Sequence, residues 1–262
     1  MLRSSALRIA VALCSAACSP EIVLGDSEAA LPLGIPPPAE LVWSTDYDVG
    51  DFSDWERGGE AFGGEYEWGE VNGYVDAGVG RNGSNGVVAD INTAARGEPS
   101  EGVRMYRRIE PAPAYYSSWF RLEDAHSVAD WWSIFLFHAR DASLSLDNDR
   151  SMWDVRIVDA PGGGMQLQFF DHDTMQGTLA GQAGWIGVRT WFEISAYLDY
   201  RPPNATRVVV WLNDAQLFDM KDLHTPVEAN VFWSVGNGAA SLDPPDSTLD
   251  LDDAAIRKAA AP

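Results

Sequence analysis

Cysteine is almost absent from this chain. Its 262 residues hold two, Cys14 and Cys18, so everything beyond residue 18 can form neither a disulfide framework nor a thiolate metal site. Stability there must come from core burial, with a bound metal as the other available support. Lysine is as scarce, with Lys221 and Lys258 alone among 18 basic residues, so an anionic ligand would have to be met by arginine. Basic charge is short altogether. The formal charge of −21, from 39 acidic residues against 18 basic ones, repels nucleic acid and anionic lipid and leaves neutral glycans, cationic ligands and divalent cations as partners. No apolar run reaches the roughly 20 residues of a membrane-spanning helix. No segment has a long helical period. The sequence also lacks a His-Glu-x-x-His pair, a Gly-x-Ser-x-Gly elbow and a phosphate loop.

What is present begins with a three-part leader. Arg3 and Arg8 flank the start of a short apolar stretch, Ile9 to Leu13, which continues in small residues to Ala17. That layout is a cleaved export signal over residues 1–17. Ser15-Ala16-Ala17-Cys18 resembles the lipobox of bacterial lipoproteins, although the usual Leu three places before the cysteine is Ser15 here. The resemblance implies lipidation of Cys18, with Cys14 the poorer candidate because bulky Leu13 precedes it. Ser19, where inner-membrane lipoproteins usually carry Asp, implies an outer-membrane or cell-surface location. An ordinary secretory signal with a stray cysteine is the alternative. Pro20, Pro32, Pro36, Pro37 and Pro38 then favour an extended tether over 18–40. Residues 41–256 are of a size for one β-sandwich, and 257–262 read as a frayed tail.

Within 41–256, period-two alternation dominates. Trp153, Val155 and Ile157 alternate with Asp154 and Arg156; Met165, Leu167 and Phe169 alternate with Gln166 and Gln168. Phe192, Ile194, Ala196 and Leu198 face away from Glu193, Ser195 and Tyr197, and Val208, Val210 and Leu212 face away from Arg207, Val209 and Trp211. Further strands are expected at 41–47, 65–71, 86–91, 103–110, 115–122, 131–140, 230–236 and 248–256, with one helical turn at 127–132. About a dozen strands predict an all-β, two-sheet antiparallel β-sandwich. The 11 tryptophans are many for this length; some must be core, and indole faces also stack on sugar rings.

Asp46-Tyr47-Asp48-Val49-Gly50-Asp51-Phe52-Ser53-Asp54-Trp55 resembles the opening strand and turn of concanavalin A-like jelly rolls. Trp191-Phe192-Glu193, Val208 to Asn213 and Trp233-Ser234-Val235-Gly236-Asn237 resemble their later strands, and Leu249 to Ile256 the closing one. The run from Leu41 to Ile256 is similar to the polysaccharide-lyase-like and laminin-G-like branches. That resemblance implies a concave sheet whose exposed face holds a glycan. Alternation nominates Arg156, Gln166, Gln168, Glu193, Tyr197 and Trp211 for one groove. His138 and Arg140 join them from 132–140, although both faces of that strand are apolar and its phase is ambiguous. In a lyase, His138 or Tyr197 would be the base and Arg140 or Arg156 would neutralise the uronate carboxylate; Gln166, Gln168, Glu193 and Trp211 would hold sugar.

Two further patterns bear on chemistry. Glu65-Tyr66-Glu67-Trp68-Gly69-Glu70 imitates the carboxylate strand of laminarinase-type hydrolases, whose outer pair stands about 5–5.5 Å apart, but an exposed acidic strand explains it more simply. If the first and last strands meet, Asp48 and Asp51 would face Asp252 or Asp253. Ca2+, which takes about six to eight oxygen ligands, would relieve their repulsion. Asp171-His172-Asp173 reads as a turn. The expected function is polysaccharide binding by a cell-surface lipoprotein, with uronate lyase activity or a structural adhesion role as alternatives. Cys18→Ser is expected to move the protein from the membrane to the soluble fraction with the domain still folded; unchanged fractionation would contradict lipidation.

Overall fold

The computed structural model describes residues 31–94, 100–141, 149–226 and 230–261, all within the unit Leu31–Pro262. The leader, Cys18 and the first part of the tether lie outside the described residues. Two eight-stranded sheets face each other. The first contains β1 (Pro38–Thr45), β3 (Val71–Ala77), β4 (Asn85–Asn92), β6 (Ala114–Leu122), β13 (Phe192–Asp199), β14 (Thr206–Leu212), β15 (Ala215–Leu223) and β18 (Asp246–Ala259). The second contains β2 (Gly63–Trp68), β5 (Glu101–Arg108), β8 (Trp132–Arg140), β9 (Arg150–Asp159), β10 (Met165–Asp171), β11 (Gln176–Leu179), β12 (Trp185–Ile186) and β16 (Asn230–Ala239). The first sheet runs β15-β14-β13-β6-β18-β4-β3 with β1 beside β18; the second runs β11-β10-β9-β8-β16-β5-β2 with β12 beside β10. β7 (Ser127–Val128) and β17 (Leu242–Asp243) form a small separate pair, and α1 (Ser53–Glu56) is one short turn.

The sandwich is the expected architecture, but its limits are wider. Pro38 pairs with Ala259 and Lys258 with Ala114, so residues 257–259 continue the last strand instead of fraying. The end of the tether is also docked. Ile35 is buried with Tyr115, Tyr197, Val209 and Trp211, and the Tyr115 hydroxyl donates to the Pro36 carbonyl at 2.6 Å. The 127–132 segment holds β7 in place of a helical turn. β3, β11 and β15 carry no clean alternation because they are edge strands with few buried side chains. Asn213 and Asp214, at φ 46° and 67°, form the left-handed two-residue turn that joins β14 to β15.

The core is aromatic. Trp233 of β16 meets Trp55 at 5.6 Å, Tyr116 at 5.5 Å and Phe135 at 5.6 Å between ring centroids, and Trp43 packs on Trp55 at 4.6 Å. Side chains from both sheets therefore close on one indole. Asn237 adds a polar tie: its Oδ1 accepts Trp132 Nε1 at 2.7 Å, and its Nδ2 donates to the Ala89 carbonyl of the opposite sheet at 2.9 Å. Asn237→Ala leaves Trp132 Nε1 buried and unpaired, at about 1–3 kcal/mol, and removes the bond to the Ala89 carbonyl that joins the sheets. Calorimetry should show the melting temperature falling by roughly 5–10 °C; an unchanged melt would mean that Asn237 does not tie the sheets.

Candidate functional site

The outer face of the second sheet is built by the residues that alternate with this core. Cross-strand pairing runs Trp68, Gly102, Gly238, Ser133, Arg156, Gln168, Leu179 from β2 to β11. A parallel row runs Tyr106, Ser234, Leu136, Asp154, Phe170. The phase of β8 was ambiguous because the strand is bulged: the register shifts between Ser133 and Phe135, so Trp132, Ile134, Phe135 and Phe137 all reach the core. Beyond the bulge Leu136, His138 and Arg140 belong to the outer face.

A cleft of about 660 Å³ opens there, lined by Tyr66, Trp68, Arg104, Asp149, Asp154, Arg156 and His172 among others. Its floor is low where two glycines pair. A Cβ at Gly102 would collide with the Trp68 indole, and one at Gly238 would press on it and on Arg104 Nη2. Trp68 therefore lies against the strand with Nε1 donated to Ser100 Oγ at 3.2 Å, and Tyr66 stacks beside it, 5.5 Å between centroids. Burial pushes the Tyr66 hydroxyl up to about 12, so it stays protonated at neutral pH.

Three arginines meet two carboxylates at this site. Arg156 Nε donates to Asp154 Oδ2 at 2.9 Å, its guanidinium lies 3.5 Å over the Phe170 ring, and its Nη2 is 3.3 Å from His172 Nε2. Arg140 stacks on Tyr106 at 4.1 Å and on Phe232 at 4.7 Å, with Nε 3.6 Å from Asp149 Oδ2. Arg104 is the odd one. Its Nη2 donates to the Ser133 carbonyl at 2.8 Å, while Nε and Nη1 are buried without a partner among the described residues. Burial lowers its pKa, opposed by Tyr66, Asp154 and Asp149.

His138, Arg140 and Gln166 share this face with Arg156 and Gln168, but as buried groups, and Gln166 Nε2 donates to the Asp159 carbonyl at 3.2 Å. His138 is fully enclosed, with Nδ1 donated to Asp149 Oδ1 at 2.5 Å and Nε2 unpartnered. Burial pulls its pKa down against the pull of Asp149. It anchors Asp149 and does not line the cleft. The expected single groove does not form, because Glu193, Tyr197 and Trp211 lie on the outer face of the first sheet. Tyr197 and Trp211 are buried there under Ile35, and Glu193 sits beside Ser117, with burial raising its carboxyl. Alternation tells inside from outside but not one sheet from the other.

The carboxylates expected to hold Ca2+ do not fit such a site. β1 does lie along β18, but the charges near that seam are answered by Arg81. Its backbone N–H donates to Asp252 Oδ2 at 2.7 Å, and its Nη1 donates to Asp253 Oδ2 at 2.8 Å. Asp51 is exposed and accepts Ser53 N–H at 2.9 Å, while Asp48 donates its N–H to Asp46 Oδ1 at 3.1 Å. Among the described residues no three acidic, His or Cys side chains converge as metal ligands.

Sequence reading passed over Tyr66, Trp68, Arg104, Asp149, Asp154 and His172 as site residues. Val103 and Met105 alternate with Arg104 and Tyr106, so Arg104 was available from periodicity. In β2, Tyr66 and Trp68 alternate with Glu65 and Glu67, so the same period-two signal marks the aromatic pair. Asp171 does form a turn, its Oδ1 accepting Asp173 N–H at 3.0 Å, and that turn brings His172 to the cleft.

No protein-family model matches the sequence, and no curated protein matches it. Solved structures do. An endo-β-1,4-glucuronan lyase from the fungus Trichoderma reesei superposes with TM-score 0.64 at 11% identity, over 83% of this chain and 95% of that one. The chain has a jelly-roll sandwich, the fold of that structure. Alginate lyase Aly36B gives 0.55 at 12% identity over 82% and 96%, and the cellulose-induced protein Cip1 gives 0.54 at 14% over 81% and 95%. At such identities the likeness is one of fold.

The acidic strand gives a pH test. Glu67 Oε1 accepts Gly73 N–H at 2.7 Å, and burial together with Glu67 raises the Glu65 carboxyl to about 7. The folded state then holds a proton that the unfolded chain releases near the ordinary glutamate value of 4.5. This contribution to stability is present below that value and is lost as pH rises towards 7. Glu65→Gln should flatten that decline in urea melts run across the range; an unchanged slope would show that Glu65 ionises normally.

Proposed function

We propose that the outer face of the second sheet binds a uronate-bearing polysaccharide. One observation carries this reading: Arg104 holds a positive charge at the cleft floor with no carboxylate partner among the described residues, in a chain of net charge −21. An isolated buried guanidinium is costly, and it cannot shed its proton. An anion entering the cleft relieves that cost, with Arg156 beside it. Trp68 and Tyr66 offer ring faces to the apolar side of a pyranose. The glucuronan and alginate lyases that share the fold act on sugars of this class. The leader supports an exported, lipid-anchored protein that would meet such polymers outside the cytoplasm.

A second reading, uronate lyase activity, is favoured by His172 on the cleft wall, with Nε2 3.4 Å from Asp154 and 3.3 Å from Arg156. An imidazole next to an arginine supplies a base for the proton α to the carboxylate and a cation for that carboxylate, and the imidazolium so formed returns the proton to the departing glycosidic oxygen as the C–O bond breaks. If the cleft cleaves, His172→Ala should abolish the absorbance of the unsaturated product and leave binding nearly unchanged.

Arg104→Met distinguishes a binding role from a structural one by opposite signs. Affinity for a polyuronate should fall by about 1.5–3 kcal/mol, the worth of a charged hydrogen bond, while the melting temperature holds or rises because a buried unpaired charge has been removed. Calorimetric titration and thermal melts read both. Loss of stability with unchanged affinity would overturn the reading.

A further inference from the structure

All eleven tryptophans lie in the described residues, and Trp185, 48% exposed, is the only one in the exposed class. Its direction follows from pairing. In β12, Ile186 pairs with Met165, and both are in the core. The neighbouring pair, Trp185 and Gln166, therefore points to the other side, the face that carries the cleft. Next to it Leu179, 52% exposed, pairs with Gln168 on the same face. The sheet thus ends in an apolar shelf of indole and isobutyl groups. The half-buried amide of Gln168 stands between this shelf and Arg156, while Gln166 is buried with Nε2 donated to the Asp159 carbonyl at 3.2 Å. An indole held open to water beside an amide suits a sugar ring, with an apolar face to stack on and a hydroxyl for the amide of Gln168.

Distance then sets the size of the ligand. From β2, which carries Trp68, to β12 there are six strand steps, about 29 Å at ~4.8 Å per step. A disaccharide cannot touch both ends. We infer that Trp185 is the distal sugar-stacking platform of this face, so that the ligand is an internal stretch of polysaccharide laid across the strands from Trp68 to Trp185. This rests on the polysaccharide-binding reading above and adds the direction and length of the bound chain.

The test is calorimetric titration of the full chain with polyglucuronate, alginate and their oligomers from disaccharide to octasaccharide. Wild type should gain affinity with length until the oligomer reaches the far edge. Trp185→Ala should lose roughly three- to tenfold on the longest oligomers and on polymer, at the scale of one ring-stacking contact, and nothing on the disaccharide. Trp185→Phe should retain most of the wild-type affinity. At 48% exposure the side chain supports little of the core, and equal melting temperatures for the three proteins verify that they fold alike. If Trp185→Ala binds long oligomers as wild type does while Arg104→Met is impaired, the distal platform is overturned and the cleft reading stands. An equal loss on disaccharide and polymer would also overturn the platform. If wild type binds none of these glycans, the cleft reading falls and the platform falls with it.

Discussion

The face available to a ligand is set by what the opposite face must bury. Trp233 is enclosed by aromatic rings from both sheets and from α1, and burying a side chain of that size is a large share of what holds two sheets together. With Trp233 inward, period two turns Ser234 and Gly238 outward, and Asn237 goes inward to tie β16 to the facing sheet. Gly238 then lies opposite Gly102, and the shallow floor between them takes the Trp68 ring. The cleft is in this sense a consequence of the core.

Charge is arranged against the grain of the molecule. A strongly acidic chain concentrates Arg104, Arg140 and Arg156 on one sheet face, and two of the three are held by Asp149 and Asp154. Pairing two of the charges fixes the geometry, and Arg104, with no carboxylate partner among the described residues, leaves a local positive excess whose field acts over a short range because salt screens longer-range fields. The outer face of the first sheet is organised differently. Arg81 there lies 3.5 Å over Trp119 and bonds Asp253, and the chain's own Ile35 covers its tyrosines and Trp211.

Much of this was legible in the sequence. Alternation located the strands of the core, and the inward sets Trp153-Val155-Ile157 and Phe192-Ile194-Ala196-Leu198 are buried as read. Arg156, Gln166 and Gln168 do share one face, although Gln166 is buried there. What could not be read was pairing between distant segments. Tyr197 and Arg156 carry the same outward signal, yet β13 and β9 belong to different sheets. The bulge in β8 hid the side to which His138 points. The surroundings of the aspartates expected to share calcium were hidden for a related reason: Arg81, far away in sequence, bonds Asp252 and Asp253 of β18. Exposed edge strands such as β3 and β15 bury too little to show a pattern.

The most direct measurement is a crystal structure of the protein with a bound oligouronate. The account requires the sugar chain on the outer face of the second sheet, crossing the strands, with a carboxylate within hydrogen-bonding distance of Arg104 or Arg156 and a ring over Trp68. A sugar bound instead on the outer face of the first sheet, or a second-sheet cleft left empty at saturating oligouronate, would contradict it.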